Sequence, residues 1–197
     1  MWVIPNILTV IRVLLTPVFI VFFLSETSSH RLIAVFLFLV ASLTDFLDGY
    51  LARKYNWTSV FGKYVDPLAD KILTLSAFIV FAQQGYLIGW MVVIVALREI
   101  IITIIRSITL YHNKLINTSR VGKWKTVAQL VTIFIVLFYA AVDAYRQTPL
   151  SGWVVAGVEW VILISMSIAV ILTVVSGYLY FSQNRTVLRS ILFTHES

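Results

Sequence analysis

The chain contains no cysteine, so disulfides, thiolate nucleophiles and sulfur-ligated metal centres are excluded. Its three histidines, His30, His112 and His195, are scattered and form no zinc-binding spacing. No segment repeats with a period of 20–50 residues, and none is of low complexity. The opening MWVIPNILTVIR has neither the basic start nor the small-residue cleavage site of a signal peptide, and is expected to remain as the start of a span. Charge is scarce at 12% of residues, and acid is scarcer still, with nine Asp and Glu in all.

What is abundant is apolar surface. Hydrophobic residues make up 60% of the 197, the composition of a membrane protein, and the length suits one polytopic domain over 1–197. Apolar stretches long enough to span fall near 7–24, 31–53, 67–87, 88–112, 121–143 and 152–181. The fold expected is therefore all-α, with six transmembrane helices. A net charge of +6 could point to nucleic acid. In so apolar a chain it marks the cytoplasmic side instead. Of the 15 Lys and Arg, only Arg31 and Arg146 fall on the far side of these six spans. Both termini are then cytoplasmic, in a multi-pass protein of the cell membrane.

Four of the nine acids lie in SLTDFLDGYLARKYNWTSVFGKYVDPLADK, residues 42–71. An Asp at a bilayer centre costs roughly 2.5–3.5 kcal/mol on insertion scales. Two close carboxylates repel by about 4 kcal/mol at an effective dielectric of 20. A divalent cation is the simplest group that offsets both. Asp45 and Asp48 are three apart at the end of the second span, and Asp66 and Asp70 four apart at the start of the third. Either spacing puts a pair on one helical face. Asp66, just before Pro67, is expected to cap the third helix. Carboxylate oxygens favour magnesium, manganese or calcium over zinc, and four can hold two ions. Gly49, Ala52, Gly62 and Ala69 permit close backbone approach. Arg53 suits a phosphate-bearing ligand. The competing reading is a set of interfacial aspartates paired with Arg53, Lys54, Lys63 and Lys71.

The pattern Asp45–x2–Asp48–Gly49–x2–Ala52–Arg53–x8–Gly62–x3–Asp66–x3–Asp70 resembles the complete signature of the CDP-alcohol phosphotransferases. Members of that family move a phosphatidyl or similar group from a CDP-linked donor to an alcohol and release CMP. The resemblance implies that Asp45, Asp48, Asp66 and Asp70 bind two divalent cations, Mg2+ or Mn2+, with Asp70 also the general base. It implies a donor site for CDP-diacylglycerol lined by Gly49, Arg53, Ser59 and Gly62. The opening Pro5–Asn6–x2–Thr9 resembles the start of many members and adds Asn6 and Thr9 to the donor contacts, leaving Arg12 as a positive-inside anchor. It further implies a homodimer working on the bilayer, with its active site facing the cytoplasm and no nucleic-acid partner.

The acceptor is read from other residues. Arg98 and Glu99 stand inside an apolar span and need partners or a polar cavity. As neighbours they point about 100° apart on a helix and are not expected to neutralise each other. Arg106 is eight residues on, on roughly the face of Arg98. A structural ion pair with an aspartate-bearing helix is the plainer reading. The run Arg-Glu, Thr103, Arg106, then Gly122–Lys–x–Lys–Thr126 and Gln129 resembles the subfamily that uses glycerol 3-phosphate and makes phosphatidylglycerophosphate. Arg98, Arg106, Lys123 and Lys125 would then bind the acceptor's phosphate. Ile104 departs from that subfamily, where the position is usually small. The rival acceptors are those of cardiolipin synthase or of a phosphatidylinositol-type enzyme. A cation carrier is a remoter alternative, disfavoured because the acids cluster at one face with no inverted repeat. Three Asn-x-Ser/Thr sites, at Asn56, Asn117 and Asn184, fall on the cytoplasmic side and are read as chance.

Overall fold

The computed structural model describes the backbone of residues 3–25, 27–55, 60–111, 120–145 and 150–192 and the side chains of 10–25, 27–44, 71–109, 120–145 and 150–188. Among the described residues every regular element is a helix. They are α1 (Val3–Leu24), α2 (Ser28–Tyr55), α3 (Val60–Gln83), α4 (Gly89–Tyr111), α5 (Arg120–Tyr145), α6 (Gly152–Gln183) and the short α7 (Arg185–Leu192). The first six cover the six expected stretches. A helix satisfies its own backbone N–H and C=O groups, which is what an apolar surround demands of these runs.

One boundary differs in kind. α3 begins at Val60 and runs through Pro67, so Asp66 lies inside the helix and does not cap it. Val60, Phe61, Tyr64 and Val65 extend the apolar pattern backwards, and the lost amide of a proline costs less than the turns gained. α1 likewise continues through Pro17. The other end of α3 is set by Gly85, at φ +80°. The Tyr86 amide donates to the Phe81 carbonyl (2.9 Å) and the Gly85 amide to that of Ala82 (3.1 Å). This is a Schellman closure, and it needs glycine at the left-handed position.

The six long helices pack as a closed ring in the order α1, α2, α5, α6, α4, α3, and α3 also touches α5 across the middle. Successive helices run antiparallel, which sorts the bundle into two ends. One end is apolar and aromatic. Phe19 and Phe23 of α1, Phe38 of α2 and Phe78 and Phe81 of α3 are fully buried there. Ring centroids lie 5.5 Å apart for Phe19–Phe38 and 5.1 Å for Phe23–Phe81. Tyr86 meets Tyr139 of α5 edge-on, and Arg31 reaches Asp143 at 3.9 Å. The other end holds the buried polar groups: Arg12, Glu99, Thr103, Lys125, Gln129 and Ser176.

The outer surface is greasy. Leu14, Val21, Phe36, Phe138 and Ile171 are all more than half exposed, far more apolar area than a soluble surface carries. α5 and α6 each contain a run long and apolar enough to cross a bilayer. With this surface the chain is a membrane protein. Trp90, Trp124 and Trp153 point outward near helix starts, as an interfacial belt requires. Trp2 and Trp57 lie outside the described residues. α7 carries Val187, Leu188, Ile191 and Leu192 among Arg185, Thr186, Arg189 and Ser190, the pattern of an amphipathic surface helix.

Candidate active site

The polar end gathers the first half of α1, the second half of α2, the first half of α3, the second half of α4, the first half of α5 and the second half of α6. Asn6 and Thr9 fall in the first turns of α1, Asp45, Asp48, Gly49 and Arg53 in the last turns of α2, and Gly62, Asp66 and Asp70 in the first half of α3. The helices thus bring all of them to the same end as Glu99. Their side chains lie outside the described residues, as does Ser59 altogether. Among the described side chains no three His, Asp or Glu gather as a metal site. The donor set itself suits hard divalent cations: four carboxylates in two pairs, each pair within one turn of its helix.

Glu99 is the hub of what is described. It is 3% exposed and is held by residues of two other helices. Lys71 of α3 reaches its Oε2 at 3.0 Å. Lys125 of α5, equally buried, bonds to its Oε1. Gln129 Nε2 donates to the same oxygen at 3.4 Å and is also 3.4 Å from Thr173 Oγ1 of α6. Burying a carboxylate is tolerable only when it is paired and hydrogen-bonded in this way. Here three cations, with Arg98, surround one acid. Among the described side chains the cluster therefore holds two more positive charges than negative ones, a setting that favours an anionic guest.

Arg98 corrects one expectation. Its Nη1 does donate to Glu99 Oε1, at 3.3 Å, because three methylenes let the guanidinium swing back across the angle between the two residues. Its Nη2 donates to Ser176 Oγ of α6 at 3.0 Å. The stem passes close to Gly177, where an added Cβ would lie 3.5 Å from Arg98 Cγ. The plainer reading of a structural ion pair holds in part, since Glu99 does join the aspartate-bearing α3, through Lys71.

The remaining basic residues divide. Lys123 and Arg106 are exposed, and Arg106, with Arg98, lies within electrostatic range of the Tyr180 phenol. Arg12 is 1% exposed, so it is a buried group of the bundle and not a surface anchor; Thr16 covers its carbonyl with a 2.9 Å bond. Ile104 is half exposed on the outside, so its bulk does not narrow the bundle interior. Asn184, one of the three Asn-x-Ser/Thr sites, is buried, and its amide donates to the Tyr180 carbonyl at 2.8 Å. Sequence reasoning missed Lys71 and Glu99 as partners, and also Ser176 and Tyr180. A lone acid in an apolar span was the available signal for the first pair. Hydroxyls on an otherwise apolar α6 were only a faint signal for the second.

These residues, on this bundle, are those of a membrane-embedded transferase acting on phosphate-linked alcohols. Residues 2–175 match the CDP-alcohol phosphatidyltransferase family, and the chain belongs to it. A Bacillus subtilis (strain 168) protein named CDP-diacylglycerol–glycerol-3-phosphate 3-phosphatidyltransferase is 32% identical, covering 96% of this chain and 99% of its own. A Rickettsia typhi protein of the same name is 31% identical over 92% of this chain and 97% of its own. One from Haemophilus influenzae reaches 39% identity over 66% of this chain and 72% of its own.

Proposed function

We propose that the chain transfers the phosphatidyl group of CDP-diacylglycerol to glycerol 3-phosphate, releasing CMP and forming phosphatidylglycerophosphate. The observation that carries this reading is the gathering of Lys71, Arg98 and Lys125 around the single acid Glu99, at the signature's end of the bundle. A neutral alcohol has no use for it, whereas a phosphorylated one does. Full-length similarity to relatives named for this reaction supports the same choice.

In this reading the six long helices cross the cell membrane with both termini and the active site on the cytoplasmic side, as the distribution of basic residues suggests. The enzyme works as a homodimer, as family resemblance implies. Asp45, Asp48, Asp66 and Asp70 would hold two divalent cations, Mg2+ or Mn2+, which when bound offset the charge of the donor's diphosphate. Asn6, Thr9, Gly49, Arg53, Ser59 and Gly62 bind the cytidine diphosphate. Arg98, Arg106, Lys123 and Lys125 attract and orient the acceptor's phosphate. Asp70 takes the proton of the acceptor's free terminal hydroxyl. That oxygen bonds to the phosphorus bearing diacylglycerol, and the bond from this phosphorus to the cytidylate oxygen breaks. CMP leaves with the electron pair, its charge met by Arg53.

The test is turnover of labelled CDP-diacylglycerol by the purified protein with magnesium and a panel of alcohols. Glycerol 3-phosphate is expected to support CMP release. CMP release with inositol or phosphatidylglycerol, and none with glycerol 3-phosphate, would overturn the choice of acceptor. Cation flux in liposomes with no CMP formed would overturn the enzyme reading altogether.

A further inference from the structure

The end of the bundle remote from Glu99 holds a cavity of about 410 Å3. It lies between the α3–α4 turn, Tyr139 of α5 and the first half of α6. Met91, Ile162 and Met166 line it and are buried, so it reaches into the bundle and is no mere dent in its face. Its polar lining is Gln84, Glu159 and two tyrosines, Tyr86 and Tyr139, which meet edge-on with centroids 5.9 Å apart. No residue assigned to the reaction is among them.

Glu159 is the group that needs a cause. It is the single charged residue among the 32 of α6. Trp153, an outward-facing ring near the helix start, stands six positions earlier. At 1.5 Å per residue Glu159 is about 9 Å deeper along the helix than that interfacial ring. A carboxylate at such a depth is costly and wants a partner. Among the described residues Glu159 makes neither a hydrogen bond nor an ion pair, yet it is exposed and open to a visitor. Arg31 lies within electrostatic range of Tyr86, but is already drawn to Asp143 at 3.9 Å. Among the described side chains this end thus holds one more acid than base, the opposite sign to the Glu99 end.

Tyr139 also lines a second hollow, an apolar groove of about 710 Å3 between α5 and α6. Phe134, Phe138, Trp153 and Val161 form its walls. A carboxylate with two aromatic rings suits a cation, and the groove suits a hydrocarbon chain. Joined through one tyrosine, they suit a single molecule carrying both. We propose that this end of the bundle binds a phospholipid with a primary ammonium head, its nitrogen on Glu159 and one acyl chain in the α5–α6 groove. Glu159 and Gln84 both offer accepting oxygens, which the three N–H donors of a primary ammonium use and a quaternary one does not. Arg31, across Tyr86, meets the lipid's phosphate. The site is independent of the choice of acceptor and serves the fold in its bilayer, not the reaction.

The experiment is native mass spectrometry of the full-length protein, stripped of lipid in detergent and titrated with dioleoyl phosphatidylethanolamine. One molecule per chain is expected to bind ahead of the rest. The N-acetylated form of the same lipid, which lacks only the ammonium charge, should bind about tenfold more weakly, the usual loss for a hydrogen bond between charged groups. Glu159→Gln should lose the same factor for the parent lipid and nothing further for the acetylated one. Gly157→Leu enters the groove where the backbone leaves room for a Cβ. It should weaken both lipids alike, by about fourfold for each methylene it displaces. Without lipid, Glu159→Gln should unfold no earlier than wild type and keep the wild-type KM for CDP-diacylglycerol. Equal binding of the two lipids, or undiminished binding by Glu159→Gln, overturns the proposal. Competition by free ethanolamine at the lipid's own concentration would assign the cavity to a soluble amine and overturn it. So would earlier unfolding of lipid-free Glu159→Gln, which makes the carboxylate part of the fold, or its dissociation from a dimer, which gives the face to a second copy.

Discussion

Lys71 and Glu99 lie 3.0 Å apart, and through them the helix that carries Asp66 and Asp70 is fastened to α4. Lys71 directly follows Asp70 in sequence. Any shift of Glu99 is therefore transmitted to the helix bearing the proposed base.

Removing the charge of Glu99 takes from the buried Lys125 its one carboxylate partner among the described residues. Glu99→Gln is expected to lower stability by about 3–5 kcal/mol, the range for a broken buried pair. Lys71 is 28% exposed, so Lys71→Met should cost only about 1 kcal/mol. Denaturation in matched detergent would compare the two, and equal losses would deny Glu99 its place as hub.

Arg106 is exposed and lies at the edge of the cluster. Arg106→Ala should raise the KM for glycerol 3-phosphate by about tenfold or more, the worth of a charge-assisted bond, while leaving the unfolding temperature in place. An effect seen only with CDP-diacylglycerol would move Arg106 to the donor site.

Asp70→Asn is expected to reduce turnover by at least about a hundredfold, the low end for general-base catalysis. Binding of CDP-diacylglycerol, followed directly by quenching or calorimetry, should survive. Near-normal turnover would remove Asp70 from the role of base.

Chelation with EDTA should abolish CMP release, and magnesium or manganese should restore it, as hard oxygen donors require. Restoration by zinc alone would contradict the reading of the four carboxylates.

Gly85 gives a control at the far end. Its φ of +80° makes Gly85→Ala cost about 1–2 kcal/mol. The turn is remote from Glu99, so kinetic constants should not move. A changed KM would show that the two ends are coupled.

The six long helices were legible in the sequence because each apolar run is long enough to leave one solution, a helix. The start of α3 was not, because a proline suits the first turn of a helix, and Pro67 stands instead inside one that begins at Val60. The positions of Asp45, Asp48, Asp66 and Asp70 fall at one end of the bundle, as their places at the end of the second span and the start of the third predict. The Arg98–Glu99 bond is not legible from helical angle, which fixes Cβ directions, while a guanidinium at the end of a long stem is not bound by them. Arg12 was misplaced because its position in sequence resembles a membrane-edge anchor, and only packing shows it enclosed. Ser176 is not legible in the sequence because its part is relational: it holds Arg98, 78 positions away.

The ring order of the helices also bears on how the protein is made. Glu99 emerges on α4, when α3 and its Lys71 already exist. Lys125 and Gln129 follow on α5, and Thr173 and Ser176 only on α6. A chain halted after α4 holds Glu99 with Lys71 and Arg98 alone. The aromatic contacts among Phe19, Phe23, Phe38 and Phe81, by contrast, need only α1 to α3. Synthesis thus delivers the greasy clamp first and the charged pocket last, so a truncated product can hold its shape in the bilayer while its acceptor side stays unfinished.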